Sequence, residues 1–320
     1  MEIKIVLLFG LFFFLSAVVE GFSSEKINKI KEGFLNVPGG KIWYKIVGAD
    51  KPGIPLLVIH GGPGATHDYL QPIEKLADER PVIFYDQLGG GKSDRPADTL
   101  LWNIERFVEE LTIVKRELKL DTVHIIGQSW GTTLTTEYML TQKPQGVVSI
   151  VFAAPCISVS RWINDQKNYL SKMDKEIQEI INVSELSGDY SSPDYQNAMM
   201  LYYRKHLCML EEWPECLQKT FTNMGADVYS YMWGPSEFTV TGNLKDFERA
   251  EKLNEIKVPA LFTCGRYDEA SPESTEYYHK LMPGSELYIF KEASHSHHLE
   301  KEEEFLSVVR GFLNRVESSQ

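Results

Sequence analysis

The sequence predicts an α/β protein whose mostly parallel central sheet is covered by helices on both faces and interrupted once by a helical cap. Three observations carry that expectation. Short apolar runs at 56–59, 82–85, 123–126, 147–153, 260–263 and 287–290 are bounded by Gly, Pro or polar residues and read as buried strands. Segments between them, including 101–118 and 132–140, carry helical spacing. Between about residues 156 and 250 this alternation stops, and a stretch rich in charged residues, Tyr, Met and Trp shows helical periodicity alone.

Taken in order, the chain opens on Lys4 and an apolar run over 5–15, broken only by Gly10 and followed by small residues around Ser16 and Ala17. This is the pattern of a secretory signal over residues 1–21, with Val19 and Gly21 before the cleavage point. The run is shorter than the roughly 20 residues of a comfortable span. A cleaved leader implies a secreted, lumenal or periplasmic protein without stable membrane contact, whereas a retained one implies an anchor. Residues 33–47 then flank Pro38-Gly39-Gly40 and read as a hairpin. The core is expected over 33–155 and 251–315, with the cap over 156–250. Leaving after one strand and returning before the next, the cap is expected over the carboxyl ends of the strands, where open α/β sheets place ligands.

A length of 320 residues, with 43% hydrophobic and 24% charged, suits one core plus an insertion and is short for two large domains. A formal charge of -12 argues against a nucleic-acid partner, since phosphate binding needs clustered Lys and Arg. Four cysteines do not make a disulfide framework at this size. Cys208 and Cys216 are close enough in sequence to bridge in an oxidising compartment, and a pair of buried thiols is the equal alternative. Asn182-Val183-Ser184 is a glycosylation acceptor in a eukaryotic host.

The chemistry-bearing residues fall at the strand ends. Gly127-Gln128-Ser129-Trp130-Gly131 follows one strand and precedes a helix, the context of a nucleophile elbow. Its glycines are expected to permit the tight turn that leaves the Ser129 hydroxyl exposed at a helix N-terminus. His60-Gly61-Gly62-Pro63-Gly64 closes an earlier strand, and glycines there let backbone N–H groups face a reacting carbonyl oxygen. Gly62 is the expected donor, with the N–H of Trp130 as the second; His60 is expected to hold the loop. A nucleophilic serine needs a base oriented by a third group. Asp268 lies past the strand at 260–263 and His295 past the next, giving the chain order Ser, Asp, His of the α/β-hydrolase fold. Glu269 is the alternative orienting carboxylate. His295, His297 and His298 invite a metal reading, but no Cys or carboxylate set at ligand spacing completes it. No metal or cofactor is expected, and His297 and His298 are expected at the surface, with His67 and His124 structural.

Together 60–64, Tyr85-Asp86-Gln87-Leu88-Gly89, the Ser129 elbow, Trp233-Gly234-Pro235-Ser236-Glu237-Phe238-Thr239 and 265–269 resemble the proline iminopeptidase (prolyl aminopeptidase) family over about 33–313. The resemblance is closest to the tricorn-interacting aminopeptidases. It implies that Glu237 and Glu269 bind the free amino terminus of a peptide. An amine of pKa near 8 is largely protonated at neutral pH, and a buried ammonium needs opposite charge and acceptors. The resemblance further implies a serine aminopeptidase that releases single N-terminal residues, proline or other and often apolar, from short peptides through an acyl-enzyme. An esterase or amidase acting on amino-acid esters or amides or other small acyl substrates is the alternative, because the triad is shared and fold does not fix substrate. A catalytically silent binding protein is the reading from another class. Gly89-Gly90-Gly91-Lys92-Ser93 departs from relatives that often carry other small residues or cysteine there, and the apolar N-terminus implies an exported variant.

Overall fold

In the computed structural model, which describes residues 29–319, the apolar runs pair into one eight-stranded sheet. β1 (Ile30–Val37) and β2 (Gly40–Val47) form an antiparallel hairpin that turns through Gly39 at φ 97°. Then come β3 (Leu56–Ile59), β4 (Val82–Tyr85), α1 (Ile104–Glu117), β5 (Val123–Gln128), α2 (Trp130–Gln142) and β6 (Val147–Ala153). Five helices follow without a named strand: α3 (Val159–Leu170), α4 (Lys175–Ser187), α5 (Pro193–His206), α6 (Glu215–Asn223) and α7 (Ala226–Met232). The chain returns to the sheet with β7 (Ala260–Gly265), α8 (Pro272–Leu281), β8 (Glu286–Phe290), α9 (His297–Glu300) and α10 (Glu302–Ser318). Strand order is β1-β2-β4-β3-β5-β6-β7-β8, parallel from β4 onward.

Strand alternation sends successive side chains to opposite faces. Leu57, Ile59, Ile83, Ile125, Phe152 and Phe262 pack with Phe107 and Leu111 of α1, Leu134 of α2 and Tyr278 of α8. Leu56, Val58, Val82, Phe84, Val151 and Leu261 pack instead with Phe305, Val309 and Phe312 of α10 and with Leu70 and Ile73 of a 3-10 segment, Asp68–Asp78. Each such buried side chain contributes about 1.5–3 kcal/mol relative to exposure. α2 is buried on nearly every side although four of its buried residues are threonines. Their hydroxyls are satisfied locally: Thr132 donates to Ser129 O, Thr135 to Gly131 O, Thr136 to Thr132 O and Thr133 to Cys156 O.

Several ends differ from the sequence expectation. β5 and β7 each run two residues past their apolar runs, because Gly127, Gln128 and Gly265 pair through backbone to Phe152, Ala153 and Phe290 whatever their side chains. α1 starts at Ile104, where the Asn103 side chain accepts from Arg106 N at 2.9 Å, and Thr99–Leu101 is a separate turn. The four cysteines are free thiols, so Cys208 and Cys216 do not bridge. Asn182 is exposed on α4. The leader expected over 1–21 lies outside the described residues, and among those described no helix is long and apolar enough to cross a membrane.

The sheet order reverses about β3, which leads to β4 on one side and lies against β5 on the other, so a crevice opens at the carboxyl ends of these strands. The α3–α7 segment docks over this edge through backbone. Gly225 N donates to Gly64 O at 2.7 Å, and Gly91 N to Asn223 O at 3.0 Å. A Cβ on Gly225 would stand 2.2 Å from Gly89 O, so glycine is what permits the approach.

The same steric logic sets a test on the sheet. A Cβ at Gly131 would lie 2.3 Å from Ile59 O and 3.0 Å from His60 O, forcing α2 away from β3. Helix propensity alone favours Ala over Gly by about 1 kcal/mol. We expect Gly131→Ala to lose about 1–3 kcal/mol in urea unfolding, as overpacked cores do. A stability equal to or above wild type would show that the close contact is not required.

Candidate active site

The turn from β5 to α2 holds Ser129 at φ 55°, ψ -122°, a backbone conformation that non-glycine residues rarely adopt. The unusual backbone therefore falls on the serine itself, whereas its flanking glycines supply clearance: a Cβ on Gly127 would meet Gly131 O at 2.5 Å. Ser129 N donates to Ala153 O at 3.0 Å and Thr132 N to Ser129 O at 2.8 Å, so the strained residue is tied on both sides.

The loop after β3 is held against this turn by side chains. His60 Nδ1 donates to Gly61 O (2.9 Å) and its Nε2 accepts from Gln87 N (3.0 Å); burial lowers its pKa, which keeps the ring neutral in this role. Gln87 Oε1 accepts from Trp130 Nε1 at 2.8 Å, joining the loop after β4 to the start of α2. The Tyr69 hydroxyl accepts from Gly61 N (2.8 Å) and donates to Gln128 Oε1 (2.5 Å), bridging the glycine loop to the elbow. Gly62, at φ 107°, lines a small cavity with Ser129 and Trp130. The first N–H groups of a helix have no partner within it, which leaves that of Trp130 available at this point.

Asp268 follows β7 and is fully buried. Its Oδ1 accepts from His295 Nδ1 at 2.7 Å and from Ala270 N at 2.8 Å, and its Oδ2 from Gly265 N at 3.2 Å. This fixes the ring of His295 with Nε2 outward. Asp268 therefore occupies the orienting place, while Glu269 Oε1 stands 3.6 Å from His295 Nε2, on the other side of the imidazole. Both loops are clamped from the inserted segment: His206 O, at the C-terminus of α5 where carbonyls lack helical partners, accepts from His295 N (3.0 Å) and Glu269 N (3.3 Å).

Glu269 is completely buried, and neither of its carboxylate oxygens has a hydrogen-bond partner among the described residues. Burial pushes its pKa well above the ordinary carboxylate value, and the neighbouring charges of Glu237 and Asp268 push it further. Glu237 lies between α7 and β7 and is held by its backbone, with its O accepting from Trp162 Nε1 at 2.8 Å. Its carboxyl is also raised, chiefly by burial and partly offset by His295 and the Tyr229 hydroxyl. Two hollows meet at this point. One of about 180 Å³ is walled by Trp130, Cys156, Trp162 and Trp233, and one of about 500 Å³ runs beside His295; both reach Gly62, Ser129 and Glu237. Neither is lined by Lys or Arg, so a recess that is aromatic-walled on one side and holds the buried carboxyl of Glu237 stands beside Ser129.

Ser129, His295, Asp268, Gly62, Trp130, Glu237 and Glu269 thus converge, with the difference that Glu269 lines neither hollow and stands beside His295 Nε2. His297 and His298, expected at the surface, are buried. His297 Nε2 meets Thr263 Oγ1 at 3.0 Å and His298 Nε2 donates to Tyr69 O at 3.1 Å, while burial lowers the pKa of His298 to about 3. Both are neutral packing groups beneath the site. His67 pairs with Asp86 at 2.8 Å, and His124 lies between Ser149 and Glu317. Among the described residues no group of three or more His, Cys, Asp or Glu is arranged to hold a metal ion. Tyr69, Gln87, Gln128 and Trp162 went unnoticed in the sequence as parts of a site. Only Gln87 and Gln128 lie inside motifs that could have signalled them.

Comparison with known proteins agrees with this fold. A family model described as the alpha/beta hydrolase fold matches residues 54–302. The chain is 48% identical over 286 residues to the proline iminopeptidase of Heyndrickxia coagulans, covering 89% of this chain and 99% of that protein. Among solved structures, VinJ superimposes with a TM-score of 0.85 at 30% identity, covering 89% of this chain and 99% of its own. The proline iminopeptidase of Mycobacterium smegmatis does so with a TM-score of 0.83 at 31% identity, covering 90% and 99%.

The carboxyl of Glu269, buried without a hydrogen-bond donor, has a measurable consequence for stability. A carboxyl whose pKa is raised on folding contributes stability fully present below the unfolded value, about 4.3, and lost as pH rises through the folded value. Glu269→Gln removes that loss. The variant is expected to melt with wild type near pH 4 and above it near pH 7.5. A gap that stays constant across this range would mean that Glu269 ionises normally.

Proposed function

From the membership of this chain in the proline iminopeptidase family of α/β hydrolases, we propose that it is a serine aminopeptidase that removes a single N-terminal residue, proline foremost, from short peptides. The observation that carries the reading is the buried carboxyl of Glu237, which lines both hollows beside Ser129 where neither Lys nor Arg does, with the carboxyl of Glu269, free of hydrogen bonds, 3.6 Å from His295 Nε2. A protonated peptide amine supplies the missing charge. A prolinium nitrogen has two N–H donors, one for each carboxylate, and its binding favours their ionised forms.

In this mechanism Ser129 Oγ attacks the carbonyl carbon of the first residue while His295 Nε2 takes the hydroxyl proton. Asp268 holds the imidazole tautomer and stabilises the imidazolium. The N–H groups of Gly62 and Trp130 stabilise the oxyanion, each such donor contributing about 3–4 kcal/mol to transition-state stabilisation. Collapse of the tetrahedral intermediate breaks the peptide C–N bond, and His295 returns the proton to the departing amine. Water, deprotonated by His295, then hydrolyses the acyl-enzyme and releases the amino acid. With the amine gripped at Glu237 and Glu269, one residue fits before the scissile bond. The leader pattern over 1–21 supports action outside the cytosol, on peptides that reach an exported enzyme.

Two measurements test this. Ser129→Ala is expected to cut kcat on prolyl-naphthylamide by about 10⁴-fold or more with the fold intact, and wild-type rates in that variant would end the assignment. Glu237→Gln is expected to raise KM for the same free-amine substrate about 30-fold or more, the cost of breaking a buried charge pair, while sparing an N-acetylated p-nitrophenyl ester. Equal losses on both would favour an esterase in which the carboxylates do not read the amine.

A further inference from the structure

The two hollows that meet at Ser129 differ in one respect that assigns them to opposite sides of the scissile bond. His295 lines only the larger one. The group that protonates a departing amine must stand beside that amine, so the second residue of the peptide leaves through the larger hollow and the first sits in the small aromatic one. We propose that the larger hollow is a specificity pocket for the second residue and that it selects apolar side chains. This rests on the aminopeptidase reading above.

The walls decide the chemistry. Leu207 and Leu217 form a buried floor, exposed by 7% and 3%, and Ala65, Met224 and Phe221 complete an apolar surround. Two polar groups of the lining are already engaged: Thr220 Oγ1 accepts from Tyr69 N at 3.1 Å and donates to Cys216 O at 3.2 Å, and Ser296 N donates to Leu207 O at 2.9 Å. An Asp side chain entering here would lose its hydration and share the hollow with the carboxyl of Glu237, with neither Lys nor Arg to pair with it. A Lys side chain would be desolvated against leucines, or drawn toward the carboxylates that the peptide's own amine must occupy. A Leu, Met or Phe side chain exchanges water for the floor. Phe221, 41% exposed and stacked on Trp213 with ring centroids 5.3 Å apart, marks the rim. Beyond it the third residue reaches solvent, so the pocket reads the second residue and leaves the rest of the chain unread.

The test is a panel of amidated tripeptides, Pro-Xaa-Ala-NH2, with Xaa as Leu, Met, Phe, Ala, Asp or Lys, assayed for released proline by kcat/KM. Wild type is expected to prefer Leu, Met and Phe over Asp and Lys by about 10- to 100-fold, the range that a hydrophobic pocket supplies. Phe221→Arg places a cation at the exposed rim and is expected to raise Asp relative to Leu by about 10-fold. Equal rates across the panel, or a wild-type preference for Asp or Lys, would overturn the pocket assignment while leaving the aminopeptidase reading in place. Release of no proline from any member, with prolyl-naphthylamide also uncleaved, would overturn that reading and this inference with it. The panel on wild type needs no variant to fold.

Discussion

One turn governs the geometry of this protein. Ser129 must leave β5 and enter α2 within a single residue, and it does so at a φ that its side chain disfavours. Strain of this kind persists only where the surroundings over-determine it. Here they do: β6 takes the Ser129 N–H, α2 caps its carbonyl, and two glycines allow β3, β5 and α2 to approach within distances that a methyl group would forbid. The remaining groups are then referred to that point. Tyr69 bridges the glycine loop to Gln128, Gln87 ties the loop after β4 to Trp130, and both connections run through atoms adjacent to the serine.

Charge is the second organising feature. Three carboxyls, those of Asp268, Glu269 and Glu237, stand around one imidazole in different surroundings. Asp268 is satisfied by two backbone N–H groups and His295, while Glu269 is buried with no partner. A buried carboxyl without a donor resists ionisation until a cation arrives. Stability is thus given up at Glu269 where binding needs its charge, a trade seen where function and folding compete for the same residues. The C-terminus of α5 keeps this arrangement in register, because one carbonyl, His206 O, receives the backbone of both the acid loop and the base loop. The inserted helices are therefore part of the frame that sets the spacing of Glu269 and His295, as well as walls of the recess.

Much of this was legible along the chain. Parallel strands buried on both faces are continuous apolar runs, so β3, β4 and β6 matched their runs end for end. Ser129, Asp268 and His295 announced themselves because the fold delivers its functional groups at strand ends, and each stands a few residues past such a run. Where strands continued on glycine and glutamine, the run ended early, since backbone pairing to β6 and β8 needs no apolar side chain. Histidines at 297 and 298 read as surface residues because imidazole is polar; the structure buries them by giving one nitrogen of each a partner, Thr263 Oγ1 and Tyr69 O, that lies more than thirty positions away.

The residues in order thus carry local information: apolar periodicity, the glycine spacing of two tight turns, and the order in which a nucleophile, an acid and a base appear. Folding adds the rest: which carboxyl orients His295 and which is left without a donor, the coupling of two loops through Tyr69, and the facing of His295 toward one hollow and not the other. The physical reason is distance in the chain. Asp268 and Glu269 are adjacent in sequence and equal in charge, and they acquire different chemistry from what surrounds them: His295 and backbone donors for Asp268, and for Glu269 a buried position that leaves both carboxyl oxygens without a hydrogen-bond donor.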